Sequence, residues 1–323
     1  CCNPLFGVVG MTADFLVYGI INTLCVVLVS PLFVSLIKKV KAWSQGRHGP
    51  SVFQTYYTLA KLLKKEVVYS PNSSWIMRIT PWVCISAVLV ASLFIPLVFV
   101  TEPFGGIGNI ILFLYLLVLA RFFMALSGLD AGSAFGGMGS SREMSISAVI
   151  EPTTIIVFAA LAFVFKSLNI FDMVSVSDIT GFPVSPTLIL IGISLFIILI
   201  VETSRLPVDN PETHLELTMI HEGMILEQSG RNLALMELSA AIKQTMLMAL
   251  LINLLVPWGL ATTLSVVTIV VAICLFAAKG TILALIIGLF ESSTAKMRFF
   301  RLPSLFLMAF FFSTLIIIIE VFA

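Results

Sequence analysis

Eight apolar runs, each close to 20 residues long, set what this chain can become. A helix that crosses a bilayer needs about 20 mostly apolar residues. The runs fall at Asp14–Ile37, Ile79–Val100, Ile107–Ser127, Ser145–Lys166, Val184–Val201, Leu233–Leu260, Ser265–Phe290 and Leu302–Phe322. Only 11% of the residues are charged and 59% are hydrophobic, whereas soluble domains approach a quarter charged. The continuous runs replace the alternating ten-residue pattern of a membrane barrel. The expected fold is therefore an all-α polytopic membrane protein with about eight transmembrane helices, a single membrane domain over 1–323. No internal repeat is visible, which argues against an inverted-repeat transporter.

Charge then orients the bundle. Fourteen of the 18 Lys and Arg residues lie between the first two runs, or on the same side after the third, fifth and seventh. The loops 101–108, 167–183 and 259–264 hold none. By the positive-inside rule both termini lie outside and the long polar loop faces the cytoplasm, so the expected location is the cytoplasmic (inner) membrane. Between the first two runs, residues 51–66 place Val52, Phe53, Tyr56, Leu59, Ala60, Leu62 and Leu63 on one face, with Lys61, Lys64 and Lys65 beside them. That pattern predicts an amphipathic helix on the membrane surface.

The loop of about 202–232 is dense in polar groups. It carries Glu202, Asp209, Glu212, Glu216, Glu222 and Glu227, with His214 and His221. Pro207 and Pro211 cannot donate to a helical ladder, so the preceding helix stops there and restarts near Glu212. Other ionisable groups fall within or at the ends of spans: Arg121, Arg142, Glu143, Glu151, Lys243, Lys279 and Glu291. A charge at membrane depth costs about 3 kcal/mol unless paired or hydrated. These residues read as an ion pathway or as interhelical pairs, Lys279 being a candidate partner for Glu151 or Glu202. Asp14 and Glu320 sit at outer span ends as interfacial charges.

Several chemistries lack their residues. His214 and His221 share a helical face, but His221-Glu222 is followed by Gly-Met-Ile rather than a second histidine in the zinc-peptidase spacing. No metal site is expected; the histidines are better suited to bond a partner or the loop's own carboxylates. The stretch GLDAGSAFGGMG at 128–139 lacks the Lys-Ser or Lys-Thr of a phosphate loop, and its glycines suit tight turns or close approach at a protein interface. Five cysteines without a CxxC pair give no iron–sulfur ligand set, and Cys25, Cys84 and Cys274 read as buried thiols. Cys1 and Cys2 open the chain without a methionine, as a truncated or processed sequence would. No catalytic nucleophile stands out, and nothing points to nucleic acid.

Longer stretches carry a resemblance. RHGPSVFQTYYTLAKLLKKE at 47–66, RITPW at 78–82 and ARFFMALSGLDAGSAFGGMGSSREMSISAVIEP at 120–152 are followed in the same order by three more. These are ETSRLPVDNPETHLELTMIHEGMILEQSG at 202–230, VPWG at 256–259 and LFESSTAKMR at 289–298. Together they resemble the membrane subunit shared by respiratory complex I (subunit one of the mitochondrial complex) and the group-four energy-converting NiFe hydrogenases, nearest the hydrogenase and formate hydrogenlyase branch. The chain reads Val208-Asp209-Asn210-Pro211-Glu212 where complex I relatives usually have Phe-Asp-Leu-Pro-Glu, and Thr58 where they carry an Asp.

The resemblance implies a non-catalytic anchor beneath a cytoplasmic arm. Its partners would be hydrogenase large and small subunits, an iron–sulfur subunit and antiporter-like membrane subunits. The NiFe centre and iron–sulfur clusters would lie in those partners, with no cofactor in this chain. It implies an ion-translocating set of Glu143, Glu151, Glu202, Asp209, Glu212, Glu216, Glu227 and Lys279, and partner docking through Arg47, Arg142, Arg205, His214, His221 and Glu222. The ion, H⁺ or Na⁺, stays open. The alternatives are a quinone-binding subunit of a complex I-type dehydrogenase, a related sulfur-reducing complex on the same anchor, or a stand-alone transporter.

Overall fold

The computed structural model describes residues 4–99, 108–179, 186–209, 219–261 and 265–322, with side chains from Val17 on and not at 176–179. The helices are α1 (Pro4–Ser44), α2 (Gln54–Leu63), α3 (Trp75–Ser92), α4 (Ile110–Asp130), α5 (Ala134–Phe165) and α6 (Ile170–Ile179). They continue with α7 (Pro186–Glu202), α8 (His221–Ile225), α9 (Gly230–Leu255), α10 (Val266–Ser293) and α11 (Leu302–Phe322). The described residues contain no strand, only isolated bridges at Phe99–Ala261 and Asn109–Asn169.

Seven of these helices are long and apolar enough to cross a bilayer. The eighth expected span, α7, has 17 residues, about 25 Å at 1.5 Å per residue. It opens on Pro186, whose missing N–H fits the first helical turn.

The other boundaries shift for identifiable reasons. The expected second span reaches Val100, but α3 stops at Ser92. Pro96 cannot donate and keeps Ile95 out of the helical region. The chain after α3 stays buried, so its backbone needs partners. Asn22 supplies them: its amide donates to the carbonyls of Ser92 (3.2 Å) and Ile95 (2.9 Å), and its oxygen accepts from Leu97 N–H (3.1 Å). Asn253 donates to the Pro96 carbonyl.

The glycine-rich stretch is mostly helix. α4 runs to Asp130, a turn through Gly132 at φ 65° follows, and α5 begins at Ala134. A Cβ on Gly139 would stand 2.9 Å from the Ile220 carbonyl and 3.1 Å from Met224 N, so this glycine lets α8 lie against α5. The close approach is made inside the chain.

α9 is the central post. Its residues from Gln244 to Leu254 are buried on every side, as expected of a helix surrounded by others. α1 and α3 pack on it, α10 packs on α1, α4 on α3, and α5, α7 and α11 close the other flank. At the α1–α10 seam the ring of fully buried Phe33 occupies the space a side chain at Gly280 would need, and Val40 crowds Gly288 in the same way.

The surface helix is shorter than 51–66. α2 spans ten residues and lies across α1 and α9. Leu59 is buried, and Tyr56 donates to the Leu28 carbonyl. The Ser35 and Thr55 hydroxyls lie 2.6 Å apart. Phe53 and Leu63 are exposed on the protein surface. Of the three central cysteines, Cys84 is buried, Cys25 half-buried and Cys274 exposed on the outer face of α10.

Candidate functional site: a line of buried charges

On α4 the inward residues Ile110, Phe113, Leu117, Arg121 and Ala125 recur at helical spacing, so Arg121 points into the core with its apolar neighbours. Its guanidinium is 6% exposed and meets three carboxylates. Nε lies 3.5 Å from Glu143 Oε1, Nη1 lies 3.6 Å from Glu151 Oε1, and Nη2 donates to Glu202 Oε1. Glu143 and Glu151 are two turns apart on α5, which puts both on the face toward α4. Glu202 is the last residue of α7. Its other oxygen is 2.7 Å from Lys243 Nζ on α9. Pro152, next to Glu151, leaves the Ala148 carbonyl without its helical donor and adds an acceptor beside the cluster.

A second cluster lies a few residues further along the chain. Arg205, buried, places Nη1 3.1 Å from Glu291 Oε1 on α10 and donates through Nη2 to Gln244 Oε1, next to Lys243 on α9. Lys41 of α1 stands 3.7 Å from the other Glu291 oxygen. A third holds Asp209, which is 2.6 Å from Lys296 and accepts from the N–H groups of Ile220 (3.2 Å) and His221 (3.1 Å). Met297 N–H donates to the Pro207 carbonyl at 3.0 Å, so the stretch 203–209 is tied to the segment after α10.

Three cavities follow these charges. A chamber of about 340 Å³ lies under α2 and is lined by Lys38, Arg205, Asp209, His221, Glu222 and Glu237 among others. A small space of about 50 Å³ touches Cys84, Arg121, Glu143, Glu202 and Lys243, and shares Thr203, Ser204, His221 and Ala240 with the chamber. A third, about 370 Å³, opens beside Glu151 and shares Arg121 and Glu202 with the small one. Buried polar groups in low dielectric persist only when paired, and polar space between them can admit water. The arrangement gathers three carboxylates around one guanidinium, with polar space beside them.

The expected site residues are distributed as follows. Glu143, Glu151 and Glu202 meet at Arg121, and Asp209 lies in the adjoining third cluster. Arg205 turns inward to Glu291. Arg142 donates to the Met219 carbonyl at 2.9 Å. His221 and Glu222 are half-buried at the chamber wall, Glu227 is half-buried, and Arg47 is exposed. Glu212, His214 and Glu216 lie outside the described residues.

Lys279 is placed elsewhere. It donates to the carbonyls of Val256 (2.8 Å) and Trp258 and sits 5.1 Å from the Trp258 ring centroid. Val256 is 13 residues beyond Lys243, about 20 Å along the same helical direction. Lys279 therefore serves the carbonyl end of α9, where a cation complements the helix dipole, and Glu202 pairs with Arg121 and Lys243 instead.

Arg121, Lys243, Lys41 and Lys296 stand outside the expected ion-translocating set, yet each meets one of its carboxylates or Glu291. Arg121 and Lys243 had a local signal, as cations within apolar spans, whereas Lys41 and Lys296 had none. Among the described residues no three His, Cys, Asp or Glu side chains gather as metal ligands.

A bundle of apolar helices around a buried line of ion pairs defines a multi-pass membrane protein with polar groups at membrane depth. The chain belongs to the NADH dehydrogenase family, whose profile matches residues 17–322. Hydrogenase-4 component C of Escherichia coli K12 is 32% identical over 283 residues, covering 88% of this chain and 89% of that protein. Formate hydrogenlyase subunit 4 of the same organism is 31% identical, covering 87% and 91%. An NADH-quinone oxidoreductase subunit of Wolbachia pipientis is 29% identical over 61% of this chain and 63% of its own. A chain of the membrane-bound sulfane sulfur reductase, an archaeal respiratory membrane complex, shares the fold at TM-score 0.79 and 17% identity, over 95% of this chain and 99% of its own.

Proposed function

We propose that this chain is the membrane anchor of a NiFe-hydrogenase-type respiratory complex, and that it couples electron transfer in a cytoplasmic arm to movement of H⁺ or Na⁺. The observation that carries the reading is the Arg121–Glu143–Glu151–Glu202–Lys243 cluster, set between a chamber under the acidic loop and a cavity on the opposite flank. Fully ionised, its three carboxylates and two cations leave one excess negative charge. A change in charge near the loop shifts that balance and alters which carboxylate holds a proton.

In this reading Glu143, Glu151, Glu202 and Asp209 form the path, with Glu212, Glu216 and Glu227 continuing it in the loop, while Lys279 stands apart at the carbonyl end of α9. The positive side, with the acidic loop, faces the cytoplasm, and Arg47, Arg142, His214, His221 and Glu222 lie on the side that meets the arm. Arg205 acts as an internal tie. The arm supplies the large and small hydrogenase subunits and an iron–sulfur subunit, and these hold the metals. Antiporter-like subunits adjoin the chain in the membrane. The identities of 32% and 31% to hydrogenase-4 component C and formate hydrogenlyase subunit 4 support this assembly.

A quinone-binding subunit is the second reading, favoured by the 340 Å³ chamber under α2. The charged lining of that chamber speaks against it, since an isoprenoid tail favours apolar walls. The test is Glu151→Gln in inside-out vesicles, with hydrogen evolution and ion uptake followed together. Electron transfer is expected to continue with little ion uptake. An unchanged ratio of ions to electrons refutes the coupling role, and loss of activity with quinone-site inhibitors moves the chain to the second reading.

A further inference from the structure

The cavity beside Glu151 opens sideways, between α4 and α5. Its rim is apolar and faces outward: Ile111, Tyr115 and Ile155 are 48%, 69% and 56% exposed. Its floor is polar. Glu151 is 39% exposed on its side chain and lies near the middle of the 32-residue α5, as Arg121 lies near the middle of α4. Both are far from either helix end, at a depth where acyl chains offer no hydrogen bonds.

Two buried polar atoms here have no hydrogen-bond partner, one of them on this floor and one a turn away on α5. Arg121 Nη1 is buried and bonds nothing, its nearest carboxylate being Glu151 Oε1 at 3.6 Å. Ser147, one turn before Glu151 on the same face of α5, is 4% exposed and its hydroxyl is unpartnered. The cluster also carries one excess negative charge when ionised. A half-exposed carboxylate inside an apolar rim, in a cluster with excess negative charge, is an incomplete site. Charge and polar groups at membrane depth pair with one another or with a neighbouring helix.

We propose that this cleft seats a transmembrane helix of a neighbouring subunit, and that the helix brings a hydrogen-bond-donating side chain, basic or hydroxyl-bearing, against Glu151. The apolar rim packs the body of that helix. A basic donor balances the excess charge, and either kind caps the exposed face of Glu151 in this cavity. The inference rests on the chain being one subunit of a membrane complex, and not on whether ions pass through it.

The test is photocross-linking in native membranes, with a benzophenone amino acid placed at Tyr115 and, separately, at Ile155. The complex is then isolated on a native gel and its cross-linked peptides are sequenced. Adducts from both positions are expected on one apolar helix of another subunit, with a Lys, Arg, His, Ser, Thr or Tyr within about four residues of the attachment point. Glu151→Leu is expected to lower the adduct yield about tenfold, the loss of one hydrogen bond to a charged group, while Glu151→Gln keeps an acceptor and most of the yield. If Glu151→Leu does not assemble, the adducts of the parent chain decide the matter alone. Lipid adducts only, adducts to a second copy of this chain, or a partner helix without a donor there overturn the proposal. An isolated chain on the native gel overturns it together with the assembly reading. Adducts as expected, with ion uptake unchanged in Glu151→Gln vesicles, overturn the coupling reading and leave this one standing.

Discussion

Replacing Arg121 by methionine is the most informative single perturbation of this protein. The guanidinium is 6% exposed and touches Glu143, Glu151 and Glu202, three carboxylates from two other helices. Methionine fills much of the same volume but leaves the cluster with Lys243 as its one cation and two excess negative charges. Removing one partner of a buried ion pair costs about 3–5 kcal/mol, because the remaining charge is left uncompensated in low dielectric. For a chain of this size each kcal/mol lowers the melting temperature by about 2 °C, so the expected drop is about 6–10 °C.

The double variant Arg121→Met/Glu202→Met removes the shortest pair as a unit. Replacing a buried pair by apolar side chains is often neutral or better, so the double should recover about 2–3 kcal/mol of the loss. The assay is thermal unfolding in detergent, followed through tryptophan emission and monodispersity. A single variant melting with the parent, or a double variant no better than the single, would falsify the claim that Arg121 offsets the carboxylates.

Two further outcomes follow from the packing. Gly280→Ala drives a methyl group into the ring of Phe33 and should cost about 1–3 kcal/mol, recovered in Gly280→Ala/Phe33→Leu; folded yield by fluorescence-detected gel filtration reads this, and a Phe33→Leu change that fails to rescue removes the steric explanation. Asp209→Asn removes the ion pair to Lys296 and weakens the tie on 203–209, so limited proteolysis within that loop should speed up about tenfold; an unchanged cleavage rate means the loop is held by other contacts.

The helices were legible because lipid imposes one demand, a long apolar run, and the sequence displays it directly. The misplaced boundaries have local causes that the same sequence contains. Pro96 ends α3 early, and two glycines sit inside α5 because of what lies against them: the Gly128 carbonyl of α4 on Gly136, and α8 on Gly139. The carboxylates of the site were legible as charges in apolar surroundings. Their partners were not, because Arg121 meets Glu202 across 81 residues, Arg205 meets Glu291 across 86 and Asp209 meets Lys296 across 87. No periodicity links positions so far apart. Lys279 was legible as a mid-span cation, but its contacts to the backbone carbonyls at the end of α9 were not.

The same separations shape how the protein is made. Arg121 leaves the ribosome 81 residues before Glu202, an interval of about 4–16 s at ordinary rates of chain synthesis. Through that interval α4 can rely on Glu143 and Glu151 alone, and Glu202 then waits 41 residues for Lys243. Neither half of the polypeptide is electrically complete, so the early helices carry uncompensated charge until the later ones arrive. Biogenesis of this subunit is thus a matter of timing as much as of hydrophobicity, and a ribosome that stalls before α9 strands charge in the membrane.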